Sequence, residues 1–355
     1  MFTRTLWPVI AGLILLAGTP ARPADMPHGN VVVERLASSA LREKRIGIDP
    51  LRKVNVYLPA GYATSAQAYP VVYYLHNFWW SPDQLFRDSH VVELLDRAFA
   101  TGKAREFIFV AADYSTPTTG SLHENSPISG RWLDFTIQEL VPFIDARYRT
   151  LAHRDSRAVV GDFFGGRGAL KAAMLHPDVF SVVYAMHPVA TGIGSVPWSH
   201  VQIDWPRLHQ AKSFADLNGD GRAQIFVTVS QAFLPNPTRP PFYCDFFMEL
   251  EGGVPTLHLE NMRKTEEGFL LDQSLPQYAE NLRRLRGIAF DWGRFDPTPA
   301  HVIANAAFSR QLEDLKIEHQ AEEYRGGVWD RSWTPDGRFY ERVIPFLDRH
   351  LSRQP

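Results

Sequence analysis

Residues 158–170 read AVVGDFFGGRGAL, and this stretch decides the fold class of the 355-residue chain. An apolar run of strand length meets Gly161, a glycine pair follows at Gly165 and Gly166, and a helix-forming run comes next. This order matches a nucleophile elbow, G-x-S-x-G, in which a serine lies on a sharp turn between a strand and a helix. Here Phe163 occupies the serine position, with Asp162 before it. The frame of the elbow is present, but its reactive atom is absent.

Strand-like and helix-like segments alternate on both sides of this stretch. The predicted strands are NVVVERLASSAL, RKVNVYLP, YPVVYYLHNF, EFIFVAAD, SRAVVGD, FSVVYAMHP, GIAFDW and EHQAEEY. The predicted helices are VVELLDRAFATG, RWLDFTIQELVPFIDARY, GGRGALKAAMLH, AHVIANAAFSRQLEDL and FYERVIPFLDRHL. Strands that are apolar on both faces are typical of a parallel sheet covered on both sides. The sequence therefore predicts an α/β fold with a mostly parallel sheet and helices on both faces.

The alternation is interrupted over residues 191–285, a stretch too long for an ordinary connection. We interpret it as a cap-like insertion over one edge of the sheet, within a single domain spanning residues 25–355. The segment QIFVTVS inside it is predicted to be a strand. DLNGDGR, Asp216–Arg222, opens like a calcium loop, but Val227 stands where a bidentate glutamate belongs. We therefore interpret this segment as a tight turn.

The N-terminus has the pattern of a secretory signal peptide, predicted over residues 1–24. Arg4 precedes an apolar run from Val9 to Ala17, and small residues follow, with cleavage after Ala21 or Ala24. The alternative is a buried N-terminal helix. The run is too short to serve as a stable membrane anchor. We expect an exported protein, periplasmic or extracellular.

Composition narrows the class of partner. Hydrophobic residues make up 45% of the chain and charged residues 21%, and the net charge is −2, so nucleic acid is not an expected partner. Cys244 is the single cysteine, which excludes an intrachain disulfide. We expect no cofactor and no metal ion. The sequence does not indicate an oligomeric state.

Five segments appear in the same order as in the secreted "putative esterase" family of α/β-hydrolases, which includes esterase D-like and antigen 85-like proteins. They are VNVYLPAGY, YPVVYYLHNF, ELVPFIDARYRT, GDFFGGRGALKAAMLHPDVF and IPFLDRHL. The chain resembles this family from about Val54 to Leu351. The resemblance implies an α/β-hydrolase fold and a family reaction in which a serine, an aspartate and a histidine, in that chain order, transfer an acyl group.

Carried over by position, the resemblance leaves one of the three catalytic residues in place. Phe163 stands at the nucleophile position and Asp296, in FDWGRFDPT, at the acid position. Val328, in EEYRGGVWDRSW, stands at the base position, and no histidine occurs between His319 and His350. The oxyanion loop, which the family builds on His-Gly, is carried over to Asn77, Phe78 and Phe164. We therefore expect conventional serine esterase chemistry to be absent.

The remaining candidate residues suggest a cleft for a ligand. Trp79 and Trp80 follow the third strand and, with Phe163 and Phe164, are expected to line a floor for a small apolar or ester-like molecule. The chain is thus expected to be a non-catalytic pseudo-esterase. One alternative is an active carboxylic-ester hydrolase with His187 or His301 as a reassigned base and an insertion residue, Ser230 or Cys244, as nucleophile. Another is an interaction partner of an active relative.

Overall fold

A computed structural model describes residues 27–42, 45–192 and 202–354, so the predicted signal peptide lies outside the described residues. The strands are β1 (Asn30–Ala37), β2 (Leu51–Leu58), β3 (Val71–Leu75), β4 (Ile108–Ala112), β5 (Asn125–Ser126), β6 (Gly130–Arg131), β7 (Arg157–Asp162), β8 (Val182–Met186), β9 (Met248–Glu251), β10 (Val254–Leu257), β11 (Gly287–Gly293) and β12 (Gln320–Tyr324). Within these ranges, no helix combines the length and apolar character needed to cross a bilayer.

Eight strands form the central sheet, in the order β1-β2-β4-β3-β7-β8-β11-β12. The pairs β1–β2 and β2–β4 are antiparallel, and every other pair in this sheet is parallel. The central strands β3, β4, β7, β8 and β11 are buried along their whole length. The predicted mostly parallel sheet is therefore confirmed.

Helices cover both faces of the sheet. They are α1 (Pro82–Asp88), α2 (Val91–Ala100), α3 (Trp132–Asp134), α4 (Val141–Arg147), α5 (Phe164–Leu175), α6 (Trp205–Gln210), α7 (Gly221–Phe233), α8 (Leu259–Phe269), α9 (Ala279–Arg283), α10 (Pro299–Asp314) and α11 (Ile344–His350). A π-helical segment, Phe135–Leu140, joins α3 to α4, and another, Phe339–Val343, leads into α11.

The alternation of side chains along β3 shows how the two faces acquire separate cores. Val71, Tyr73 and Leu75 belong to the core shared with α4, α5 and α10, whereas Val72 and Tyr74 belong to the core shared with α2 and α11. Successive side chains of a strand point to opposite faces. A continuous apolar strand thus supplies both cores at once.

The segment between β8 and β11 contains α6 to α9 and a hairpin of β9 and β10. The prediction of a strand at QIFVTVS is wrong, because these residues lie in α7. The Asp220 side chain caps that helix by accepting from the Ala223 N–H at 3.0 Å. Asp216 likewise accepts from the backbone N–H of Ser213 at 2.9 Å. Both carboxylates of DLNGDGR are thereby engaged in capping.

Candidate functional site

The turn predicted to be an elbow has a strained backbone at Phe163. Phe163 connects β7 to α5 with φ 57° and ψ −111°, a conformation that residues with a side chain rarely adopt. A Cβ added at Gly161 would lie 2.0 Å from the Gly165 carbonyl oxygen, and one added at Gly165 would lie 1.9 Å from the Leu75 oxygen. Only glycine fits these two positions. The close packing of the turn therefore holds residue 163 in the conformation that an elbow requires.

The Phe163 side chain lies in an aromatic cluster instead of presenting a reactive atom. Its ring centroid is 5.7 Å from Trp79, 5.4 Å from Trp329 and 5.3 Å from Phe164. The residue is 7% exposed, whereas Trp79 and Trp329 are exposed by 40% and 49%. Two half-exposed indoles thus flank a buried phenyl group at the predicted nucleophile position.

Asp296, predicted at the acid position, lies in the loop between β11 and α10 and is a hydrogen-bond acceptor for two histidines. Its Oδ2 is 2.7 Å from His187 Nε2 and 2.8 Å from His301 Nδ1, and its Oδ1 accepts from the Thr298 N–H at 2.7 Å. Burial alone would raise the pKa of this carboxyl, but the hydrogen bonds from His187 and His301 hold it well below its usual range. Asp296 is therefore an ionised carboxylate at neutral pH.

His187, one of the two candidate bases, is fixed in a structural role. It follows β8, and its Nδ1 accepts a hydrogen bond from the Gly293 N–H at 3.0 Å. The proton of the neutral ring must then be on Nε2, which donates to Asp296. The side chain is 2% exposed and does not line the cavity described below. With both nitrogens engaged, His187 has no nitrogen available to a ligand.

His301, the other candidate base, contacts the same carboxylate and is more exposed than His187. It lies in the first turn of α10, its side chain is 21% exposed, and it lines the cavity. Its ring centroid is 5.5 Å from that of Phe163, with the rings nearly perpendicular at 82°. Of the two histidines proposed from the sequence, the structure brings His301 into contact with both the elbow residue and the cavity.

Within the described residues, His187, Asp296 and His301 are also the group whose spacing fits a metal ion, with ligand atoms within 4.8 Å of one another. A histidine that binds a metal through one nitrogen normally donates its other N–H to an acceptor. The Gly293 N–H donates to His187 Nδ1 instead. Metal coordination by Nε2 would then require an anionic imidazolate ring. The cluster fits a hydrogen-bonded Asp–His pair better than a metal site.

Val328, at the base position, contributes only apolar surface. It is 9% exposed and belongs to the same buried cluster as Phe78, Phe163 and Phe164. Its carbonyl oxygen accepts a hydrogen bond from the Tyr324 hydroxyl at 2.9 Å. The loop after β12 therefore reaches the site but brings no titratable group at this position.

The predicted oxyanion loop is linked to Asp162 by a hydrogen bond. The Asn77 side chain donates to Asp162 Oδ2 at 3.3 Å and accepts from the Trp79 N–H at 2.9 Å. Burial raises the pKa of Asp162 to about 7, against the opposing effect of the bond from Asn77. In the described parts of the chain, the N–H groups of Phe78 and Phe164 donate to no protein acceptor. Two backbone donors are thus unengaged beside the elbow.

A cavity of about 400 Å³ opens beside Phe163. Its apolar and aromatic wall is formed by Trp79, Phe163, Phe164, Val189, Ala190, Ile225, Phe226, Phe269, Leu270, Ala300 and Ala304, with His301, Thr298 and Arg222 as polar groups. Ile225, Phe226, Phe269 and Leu270 come from the segment between β8 and β11, so this segment walls the cleft. Trp80 does not line the cavity; it packs against the core shared with α2 and α11. The sequence expectation for Trp80 is corrected accordingly.

Two residues of the site, Trp329 and Arg167, were not predicted from the sequence. Trp329, next to the base position, packs against Phe163 with the two rings tilted by 48°, and the fully buried Arg167 links α5 to the segment between β8 and β11. Arg167 donates to Glu124 at 2.8 Å and to the Phe269 carbonyl at 2.7 Å.

Ser230 and Cys244, considered as nucleophiles, are buried in the segment between β8 and β11 and do not line the cavity. Burial raises the pKa of the Cys244 thiol, which makes it inert.

A family model described as "Putative esterase" matches residues 48–236, more than half of the chain. The chain belongs to this family. An esterase of Mycobacterium tuberculosis is 38% identical over 126 residues, which is 34% of this chain and 25% of that protein. An endo-1,4-beta-xylanase/feruloyl esterase of Xylanibacter ruminicola is 26% identical over 165 residues, 44% of this chain and 21% of that protein. The matches thus span only about a quarter of these relatives.

Solved structures support the fold. A ferulic acid esterase superposes with a TM-score of 0.61 at 21% identity, covering 92% of this chain and 99% of that one. An S-formylglutathione hydrolase from Agrobacterium tumefaciens superposes with a TM-score of 0.56 at 13% identity, covering 92% and 97%. The predicted α/β-hydrolase fold is confirmed by these likenesses.

Proposed function

We propose that this member of the esterase family is a non-catalytic relative whose cavity binds a small apolar or aromatic molecule with an acyl or ester group. The observation that carries the proposal is Phe163, which keeps the elbow conformation and fills the site of the reacting atom with a phenyl ring. Removing triad residues from a serine hydrolase typically costs on the order of a million-fold in turnover.

The cavity supports the ligand class. Its volume of about 400 Å³ falls in the range of roughly 300–1,000 Å³ that is usual for small-molecule sites. Aromatic walls with a few polar groups favour a flat or acyl ligand whose polar end meets His301 or Thr298. Since residues 1–24 have the pattern of a signal peptide, we propose that binding takes place outside the cytoplasm.

Binding can be tested by calorimetry and by intrinsic fluorescence with methyl ferulate and octanoate as probes. Ala304→Phe places a ring in the cavity, because Ala304 lines it and is 4% exposed. Ile303→Phe adds a similar ring on the same helix, at a residue that is 45% exposed. We expect the wild type to bind at least one probe, Ala304→Phe to weaken binding at least tenfold, and Ile303→Phe to leave it unchanged. No binding by the wild type, or equal binding by all three proteins, would refute the proposal.

A second candidate function, slow ester hydrolysis by water with a reassigned base, is favoured by the contact between Asp296 and His301. Purified wild type and Asp296→Ala are compared on p-nitrophenyl butyrate. Wild-type hydrolysis that disappears in Asp296→Ala would favour this second function, whereas activity at background in both proteins supports a binding protein.

A further inference from the structure

We infer that His301 has taken over the role of the histidine absent at Val328, so that the site lacks a nucleophile and not a base. This inference goes beyond ligand binding and does not depend on it. It assigns a base on α10, whereas the family resemblance places the base in the loop after β12. Three observations carry it: the tautomer of the ring, its position and the exclusion of the other candidates.

The tautomer follows from the partner of His301. Asp296 is ionised, and a carboxylate only accepts hydrogen bonds, so the Nδ1 of His301, 2.8 Å from Asp296 Oδ2, carries the proton. Nε2 of the neutral ring then has a free lone pair. Within the described residues, no protein group hydrogen-bonds to this nitrogen. An aspartate that fixes Nδ1–H and leaves Nε2 free is the arrangement a catalytic histidine needs.

The ring of His301 lies beside the elbow. His301 and Phe163 both line the cavity, and their ring centroids are 5.5 Å apart. The N–H of Phe164 follows the elbow and is unengaged, as an oxyanion donor must be. Base, elbow and one oxyanion donor therefore border the same volume.

The other candidates for the base role are excluded by their contacts. His187 shares Asp296, but its Nδ1 is taken by the Gly293 N–H. The family resemblance implies that a histidine at position 328 would pair with Asp296, whose Oδ2 already has two histidine partners. We therefore expect restoration of the family's histidine to bring no benefit while His301 is present.

Ester hydrolysis would proceed as follows in Phe163→Ser, which has a hydroxyl at the elbow. As that oxygen attacks the acyl carbon of an ester, His301 Nε2 takes its proton and Asp296 stabilises the imidazolium. The ester C–O bond then breaks, and the same proton passes from Nε2 to the leaving alkoxide. Water releases the acyl group by the same two steps, so acid and alcohol are the products and no further reactant is needed.

The test compares Phe163→Ser, Phe163→Ser/His301→Ala, Phe163→Ser/Val328→His and the control Phe163→Ala. Covalent labelling by a fluorophosphonate is followed by intact mass, and p-nitrophenyl butyrate hydrolysis is followed for a burst. We expect Phe163→Ser to be labelled, Phe163→Ala not to be labelled, and His301→Ala to slow labelling at least roughly a hundredfold, the usual contribution of a general base. We expect Val328→His to change the rate less than threefold.

Two results would overturn the inference. One is that Phe163→Ser folds but is not labelled. This result counts against the inference regardless of whether Phe163→Ser/Val328→His is labelled. The other is that Phe163→Ser and Phe163→Ser/His301→Ala react at the same rate. If Phe163→Ser does not fold, nitrogen NMR of the wild type decides the question. A proton on Nδ1 and none on Nε2 of His301 at pH 8 supports the inference, and the reverse tautomer refutes it.

Discussion

Asp162 makes the stability of the fold depend on pH in an unusual direction. The residue is 2% exposed, and burial raises its pKa from 3.8 to about 7, with the nearby Asp291 charge adding to the effect. The folded protein therefore holds this proton more tightly than the unfolded chain does. The stability from this group is fully present below about pH 3.8 and is lost as the pH rises through about 7.

The magnitude follows from the size of the shift. A shift of about three pKa units corresponds to about 4 kcal/mol in the free energy of unfolding. Linkage assigns about 2.5 kcal/mol of this to the interval between pH 5 and pH 8. Asp162→Asn removes the titrating group and keeps an oxygen that can accept the bond from Asn77. The free energy of unfolding of Asp162→Asn minus that of the wild type should therefore increase by about 2.5 kcal/mol from pH 5 to pH 8.

Urea unfolding of both proteins at pH 5, 6.5 and 8 measures this difference. Asp83→Asn is the contrast, because the pKa of Asp83 is lowered in the fold and its side-chain partners, Lys53 and Asn55, include no histidine. Its contribution is present above the ordinary carboxyl pKa and is lost as the pH falls below it, so the cost of Asp83→Asn should not change between pH 5 and 8. If the difference between Asp162→Asn and wild type stays constant over this range, Asp162 is ionised throughout and the reasoning fails.

Two further pairs of substitutions test what stabilises the elbow and the contact between α5 and the segment that joins β8 to β11. Gly165→Ala should prevent folding or lower the free energy of unfolding by more than about 3 kcal/mol, because its Cβ would lie 1.9 Å from the Leu75 oxygen. Gly166→Ala, whose added Cβ would have its nearest contact at 3.1 Å, should lower the free energy of unfolding much less. Thermal melts of both variants measure this, and equal losses of stability would contradict the packing explanation. Arg167→Met should cost about 3–5 kcal/mol in urea unfolding, because it leaves Glu124 without its buried partner. Adding Glu124→Gln should recover part of that loss, and no recovery would mean that the ion pair is not its source.

The fold could be predicted from the sequence because its signals are local. The apolar strands and the close-packed glycines of the elbow each produce a sequence pattern that spans only a few residues. Glycine is required at positions 161 and 165, because a Cβ added there would lie 2.0 and 1.9 Å from a carbonyl oxygen. The strand prediction at QIFVTVS failed for a physical reason. Its β-branched residues favour a strand, but Val227, Thr228 and Val229 pack inside the cap as part of α7, and this burial outweighs the local preference.

The site could be predicted only as far as single positions. Phe163, Asp296, Val328 and His301 were identified as candidates, but no spacing in the sequence indicates that Asp296 pairs with both His187 and His301. That arrangement depends on how the loop after β11 folds against α10. Burial of Arg167 in the cap has no sequence signal either, since a lone arginine on a helix normally lies on the surface.

The conformation of residue 163 has a consequence for the history of the protein. The turn is imposed by glycines and carbonyls around it, so its shape is independent of the side chain that it carries. Phenylalanine codons TTT and TTC become serine codons TCT and TCC by a change of one base. Gaining or losing the nucleophile is therefore a single mutational step that keeps the glycines and carbonyls that impose the turn.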